Sequence, residues 1–250
     1  MYRLFELLCS NYKHGLTSKE ISELLDIPPS SCFRLLANLK KYNFITQRNT
    51  DKHYFLGITH LRYADYLLAG MDIIDICVPF LEELHAETEE VVYLAQYREN
   101  LCVDMAVFGH IKEEASIARG QILPMDCTAS GKAILAFLSD LEIKTILERE
   151  KHKQYTEYTP TNTEEIYKEL KEIYHTGVAY NIQEFNYGVN ALATPIFDRM
   201  NRVIGAITII GSSMDLDKET MEEYSELCLQ SSENITSILG GEFPDWLKVT

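Results

Sequence analysis

The chain lacks any apolar stretch long enough to cross a bilayer. Its longest apolar runs, such as Val203–Ile210, fall far short of the roughly 20 residues that a spanning helix needs. The first residues show no apolar core followed by small residues, so no signal peptide is expected. We therefore predict a cytoplasmic protein with no membrane partner.

Paired cysteines are also missing. None of the six cysteines forms a C-x-x-C motif or stands beside histidines at zinc-finger spacing. Most lie in apolar stretches, which is typical of small buried side chains in a reducing compartment. The sequence therefore predicts neither a metal site nor a cofactor.

Positive charge is scarce overall, but it is unevenly distributed. The net charge of −15 taken alone argues against nucleic-acid binding. Residues 1–57, however, hold eight basic and five acidic side chains, for a net +3, which leaves −18 for the remainder. This asymmetry indicates two domains with different partners.

Three helices are predicted in the basic part. Apolar residues at helical spacing place the first over residues 2–9. The capping box Thr17-Ser18-Lys19-Glu20 opens the second. The third runs from about Pro29 to Tyr42, because proline is tolerated in the first turn of a helix.

The third helix has two distinct faces, and a basic hairpin follows it. Its apolar stripe is formed by Cys32, Leu35, Leu36 and Leu39. The opposite polar face is typical of a recognition helix, and the strands predicted at 44–48 and 52–57 are typical of a wing. The predicted DNA-contacting residues are Thr17, Ser18, Ser30, Ser31, Phe33, Arg34, Asn38, Lys41, Arg48, Lys52, His53 and Tyr54. The alternatives are a polar face that is merely solvated and a winged helix that docks protein.

The rest of the chain predicts a helical connector and a mixed domain. Helical periodicity covers residues 58–90 with an interruption at 70–72, and such a connector commonly mediates dimerisation. Strands and helices alternate afterwards, including a hairpin over 91–108 and a strand at Glu114–Ala118. We expect an α+β fold with helices on one side of the sheet. The predicted domains are a winged helix-turn-helix at 1–57, a linker at 58–71 and an effector-binding domain at 72–250.

The whole chain to about residue 240 resembles the IclR family of bacterial transcription regulators. The matching segments occur in the family's order: Leu16-Thr17, Pro28-x-Ser30-Ser31-x-x-Arg34-Leu35-Leu36, Tyr54–Gly57, Pro124-x-x-x-Thr128–Ala136, Tyr158–Pro160, Gly177–Ala179, Glu184-Phe185-x-x-Gly188-Val189, Ala193-x-Pro195-Ile196 and Ile207–Ile209-x-Gly211. The resemblance implies a GAF-like second domain, a small organic effector such as a carboxylate or an aromatic acid, and a homodimer or tetramer.

The expected effector site combines one local signal with positions implied by the resemblance. The turn Thr128–Gly131 at a helix start could seat a carboxylate through free N–H groups. Asn181 and Thr208 match pocket-facing positions of relatives, although they could instead satisfy backbone groups of the sheet. The family often has an acid where this chain has Asn181 and a cysteine where it has Ala191. The predicted effector-binding residues are Arg119, Ala129, Ser130, Gly131, Asn181, Glu184, Ala191 and Thr208. Tyr93 is expected in the core.

These expectations converge on a transcriptional regulator, expected to be a repressor, that binds double-stranded operator DNA under effector control. An enzyme, such as a reductase or methyltransferase carrying a winged helix, would need a redox cysteine pair or a glycine-rich cofactor loop. The sequence contains neither, and Glu184 has no partner nucleophile or metal cluster, so no catalytic residue is predicted.

Overall fold

The computed structural model describes residues 2–63, 73–109 and 120–248. The chain divides into two compact units, Met1–Asp72 and Ile73–Thr250. None of the helices in the described ranges is long and apolar enough to cross a membrane. Three predictions lie outside the described residues: the part of the connector at 64–72, the strand at 114–118 and the effector-binding role of Arg119. The domain boundaries at 57/58 and 71/72 stay predictions.

The N-terminal unit contains three helices and a two-stranded hairpin. These elements are α1 (Tyr2–Ser10), α2 (Ser18–Leu25), α3 (Pro29–Lys41), β1 (Ile45–Gln47) and β2 (Tyr54–Leu56). The strands pair antiparallel with Ile45 opposite Leu56. The core is built from the apolar faces of all five elements, including Leu4, Ile21 and Leu36. Residues 59–63 are also helical. The three predicted helices are present, and the hairpin strands are shorter than predicted.

The C-terminal unit is a six-stranded antiparallel sheet with helices. Its elements are α4 (Ile73–Thr88), β3 (Val91–Arg98), β4 (Leu101–Phe108), β5 (Ile122–Leu123), α5 (Ala129–Leu135), α6 (Asp140–Glu150), α7 (Thr163–Thr176), β6 (Ala179–Ile182), β7 (Val189–Phe197), β8 (Val203–Ser212), α8 (Lys218–Ile238) and a 3₁₀ turn at Asp245–Leu247. The strand order is β5-β4-β3-β8-β7-β6. The mixed α+β class is confirmed, and the short strand β5 was not predicted.

Helices cover both faces of this sheet, so the expectation of helices on one side is wrong. Thr194 on β7 bonds through its hydroxyl to Ser232 on α8 at 2.6 Å. Tyr93 on β3 points to the other face, where its hydroxyl lies 3.4 Å from Ser130 on α5. All nine residues of β7 are buried, which a strand covered on one face cannot achieve.

Local signals in the sequence set the helix ends in this unit. Ser139 and Glu142 form a capping box at the start of α6. Asn162 caps α7, which ends at Gly177 in a left-handed conformation with φ 73°, as predicted. These ends fix where the chain turns back towards the sheet.

Candidate functional site

The second helix of the N-terminal unit is fixed by its predicted capping box. The Thr17 backbone N–H donates to the Glu20 carboxylate at 2.7 Å, and the Glu20 N–H donates to the Thr17 hydroxyl at 3.3 Å. The helix ends at Asp26 with φ 54°, and α3 begins three residues later at Pro29. The Thr17 side chain is therefore engaged in holding α2, next to the exposed Ser18.

The third helix buries one face and exposes the other. Cys32, Leu36 and Leu39 are buried in the core, and Leu35 is half-buried against it. The predicted contact residues on this helix are all exposed: Ser30, Ser31, Phe33, Arg34, Asn38 and Lys41. Phe33 is 65% exposed, which is unusual for a phenylalanine in a well-packed helix. The exposed face combines hydroxyl, guanidinium, amide, ammonium and aromatic groups.

The hairpin places some predicted residues at the surface and one in the core. Arg48 forms an ion pair with Asp51 at 2.7 Å and lies over the Phe55 ring, 4.7 Å from its centroid. The Arg48 side chain holds the pKa of the Asp51 carboxyl down at about 2. Lys52 is exposed and His53 is half-buried.

Tyr54 is buried among apolar side chains and exchanges backbone hydrogen bonds with Leu16. The structure thus corrects the expectation for Tyr54, whose ring faces the core and not the exposed surface.

A cavity lies between the sheet and the start of α5 in the C-terminal unit. It has a volume of about 30 Å³, enough for roughly two water molecules. Its lining residues come from strands β3 to β8, the start of α5 and the turn after β6: Tyr93, Asp104, Gln121, Leu123, Thr128, Ala129, Asn181, Phe185, Asn186, Val189, Ala191 and Ile210. An effector larger than a few atoms requires these walls to move apart.

One wall of the cavity carries a buried carboxylate. The Asp104 side chain is fully buried, and neither of its oxygens has a hydrogen-bond partner among the described residues. Burial raises the pKa of Asp104 to about 7. Burial and the neighbouring Asp104 also raise the pKa of the Tyr93 hydroxyl, which therefore stays protonated. The cavity thus presents an acceptor pair and a phenolic donor.

A buried lysine lies on α5, outside the cavity lining. The Lys132 ammonium is fully buried and contacts Glu184 at 2.7 Å and Glu169 at 2.6 Å. Burial alone would lower the pKa of Lys132, but the two carboxylates more than offset this and raise it. Lys132 therefore stays protonated, and the two carboxylates balance its positive charge.

Similarity to known proteins decides the family. The family described as "Bacterial transcriptional regulator IclR C-terminal" matches residues 66–237. The chain belongs to the IclR family. It is 29% identical over 247 residues to an uncharacterised HTH-type transcriptional regulator of Haemophilus influenzae, covering 96% of this chain and 91% of the relative. It is 25% identical to the transcriptional repressor IclR of Escherichia coli K12, covering 93% and 85% respectively.

The fold agrees with that of solved IclR regulators. A crystal structure of an IclR-type regulator from Silicibacter sp. TM1040 superposes with a TM-score of 0.83 at 22% identity, covering 99% of each chain. The family match confirms the resemblance drawn from the sequence motifs. IclR proteins are transcriptional regulators and not enzymes, as predicted.

The predicted effector residues of this IclR protein are only partly brought together. Ala129, Asn181 and Ala191 line the cavity. Ser130 is fully buried and does not line the cavity, but its hydroxyl lies 3.4 Å from that of Tyr93, which does. Thr208 is buried opposite Tyr93 on β8, and its hydroxyl has no partner among the described residues.

Other predicted effector residues have structural roles in this protein. Asn181 donates to the Cys127 carbonyl and accepts from the Glu184 N–H at 3.2 Å. It thus satisfies backbone groups, as the alternative held, but these groups lie outside the strands of the sheet. Glu184 pairs with Lys132 and is absent from the cavity wall. A side chain on Gly131 would come within 2.4 Å of the Met125 backbone. The glycine therefore allows α5 to pack closely against that backbone.

The carboxylate seat predicted at the start of α5 is weaker than expected. The helix has only seven residues. The Gly131 N–H is already occupied by the Thr128 hydroxyl at 3.2 Å. Few free N–H groups and a short dipole remain to attract an anion.

The sequence analysis missed Asp104 in the cavity wall and the buried charge of Lys132 outside it. For Asp104 a signal existed, because it alternates with Cys102 and Ala106 on the buried face of β4. For Lys132 the signal was weak, since a lysine within a short helix is usually solvated. Its two carboxylate partners lie 37 and 52 residues away in the sequence.

Proposed function

We propose that the N-terminal unit is a winged helix-turn-helix that reads operator DNA with α3. The exposed face of α3 carries this proposal, because it concentrates polar and basic groups on a chain that is acidic elsewhere. Arg34 would contact a base edge or phosphate, Ser30 and Ser31 would enter the groove, and Lys41 would meet the backbone. Arg48, Lys52 and His53 on the hairpin would lie along the phosphates.

The C-terminal unit is, in this proposal, a GAF-like sensor that binds a small polar effector in the cavity beside Asp104. The antiparallel sheet with helices on both faces supports this assignment. Because the cavity holds so few atoms, effector binding requires the walls to separate, and the free energy of binding then favours a different conformation. A carboxylate effector, as expected from the sequence, could accept from the Tyr93 hydroxyl and from a protonated Asp104.

Repression and dimerisation complete the proposal. The relative IclR of Escherichia coli is named a repressor, which supports the same mode of control here. A net +3 on one copy of residues 1–57 gives weak attraction to DNA, so two copies joined through residues 58–90 would bind paired half-sites. A cytoplasmic location is part of this function.

Replacing Arg34 tests DNA reading. We expect Arg34→Ala to weaken operator binding at least tenfold in a gel shift, because an Arg contact to a base is worth about 1–3 kcal/mol and a dimer makes it twice. The matched control is Arg98→Ala, which removes an exposed arginine from β3 in the other unit. Retained affinity in Arg34→Ala would contradict the role of α3.

Salt dependence separates DNA binding from protein docking. Phosphate contacts release counterions, so the logarithm of the affinity should fall linearly with the logarithm of the salt concentration. A winged helix that docks protein would show no such affinity for DNA fragments.

A further inference from the structure

Asp104 carries a buried carboxyl group that has no hydrogen-bond partner among the described residues. Its side chain is fully buried, and both carboxylate oxygens lack hydrogen bonds to the described residues. A buried polar group that stays unsatisfied is costly, and an ionised carboxylate is more costly still. Since the cavity adjoins this side chain, a donor on a ligand bound in the cavity would be within reach of both oxygens.

The charged groups that the structure describes around the cavity oppose an anion. Asp104 is the only charged residue among the described residues of its wall. The nearby cation Lys132 is committed to Glu184 and Glu169 and does not reach the wall. A ligand carboxylate beside Asp104 would therefore meet a like charge unless Asp104 first took up a proton.

We infer that the effector presents a hydrogen-bond donor, an ammonium or a pair of hydroxyls, to the two oxygens of Asp104. This rests on the proposed function, and it replaces the organic acid expected from the sequence with a donor-bearing metabolite. Tyr93 supplies the second polar contact through its hydroxyl, and the apolar wall of Leu123, Phe185 and Ile210 packs against the carbon skeleton.

Two further observations agree with a donor as ligand. The pKa of Asp104 lies near 7, so a bound ammonium would favour the ionised form at little cost. The cavity volume of about 30 Å³ admits an ammonium or hydroxyl head group, while the remainder of a larger effector requires the walls to separate.

Small probes that match this volume test the inference on the full chain. Thermal unfolding is followed with methylammonium chloride, ethylene glycol or sodium formate at constant ionic strength, for wild type and Asp104→Asn. The matched control is Asp126→Asn, since Asp126 is equally buried but pairs with His152 at 3.1 Å and lies away from the cavity wall. Comparing variants cancels the general effect of each additive.

We expect methylammonium to raise the Tm of wild type and of Asp126→Asn saturably. The rise is about 3–6 °C at a tenfold excess over Kd, and Asp104→Asn should not show it. Equal shifts in all three proteins, no shift in any, or a shift of wild type by formate alone would overturn the inference.

Failure of the proposed function would be recognised separately. Stabilisation by formate alone would leave the cavity as an effector site and remove only the donor class. If the full wild-type chain bound no DNA, the regulator assignment would be refuted. The Tm shift that methylammonium causes through Asp104 would be unaffected.

Discussion

The charge on Asp104 should make the stability of the C-terminal unit depend on pH in a way that Asp104→Asn abolishes. An aspartate whose pKa rises from 3.8 to about 7 on folding keeps its proton in the folded state after the unfolded chain has lost it. Stability contributed by this group is therefore present below about pH 4 and is lost as the pH rises towards 7. Asparagine has no proton to lose, so the variant lacks this decline.

The size of the effect follows from the shift. A rise of about three pKa units at about 1.4 kcal/mol per unit corresponds to about 4 kcal/mol, reached above pH 7. The free energy of unfolding of Asp104→Asn minus that of wild type should thus grow by up to about 4 kcal/mol between pH 4 and 8. Tyr93 and Cys102 beside Asp104 stay neutral throughout, because burial raises the pKa of both, that of Cys102 to about 12.

Urea unfolding monitored by tryptophan fluorescence measures this difference. The chain has a single tryptophan, Trp246, whose indole donates to the Tyr174 carbonyl at 3.1 Å in the C-terminal unit. Protein concentration must be held constant, because the stability of the proposed dimer would depend on it. A difference that is flat between pH 4 and 8 would refute the reasoning, since it would mean that the ionised Asp104 is compensated in the folded protein.

Two further substitutions test the surroundings of α5. Lys132→Met should lower the free energy of unfolding by about 3–5 kcal/mol in urea titrations, because Glu184 would be left as a buried charge. Adding Glu184→Gln should recover part of this loss. Full stability of the Lys132→Met variant would contradict the importance of the pair. Gly131→Ala should lower the Tm by several degrees, because its methyl group would lie 2.4 Å from the Met125 backbone; an unchanged Tm would mean that α5 can shift freely.

The sequence predicted best those features that depend on neighbours along the chain. The capping box at Thr17 and Glu20, the start of α3 at Pro29 and the end of α7 at Gly177 all formed where local patterns indicated. Each depends on hydrogen bonds or backbone angles within a few residues, so sequence alone is sufficient. The two-faced pattern of α3 was equally visible, because burial alternates with the period of the helix.

The candidate effector site depends on contacts between distant segments, and local sequence patterns predicted it less well. Asn181 could be placed near the start of α5 only by resemblance, and its amide turned out to hold the Cys127 carbonyl. Glu184 was assigned to the ligand, whereas its carboxylate holds Lys132. A sequence pattern identifies a polar residue as buried, but it does not identify which of several distant groups satisfies it.

Asp104 and Lys132 show why burial of charge must be judged by partners. Both side chains are fully buried in the same unit. Lys132 has two carboxylates within 2.7 Å, so its desolvation is offset within the protein and the pair stabilises the fold only if intact. Asp104 has no such partner among the described residues, and we infer that a proton or a donor on the ligand offsets its desolvation. In the proposed sensor, exchange of that proton for a ligand near neutral pH would couple occupancy of the cavity to the stability of the unit around it.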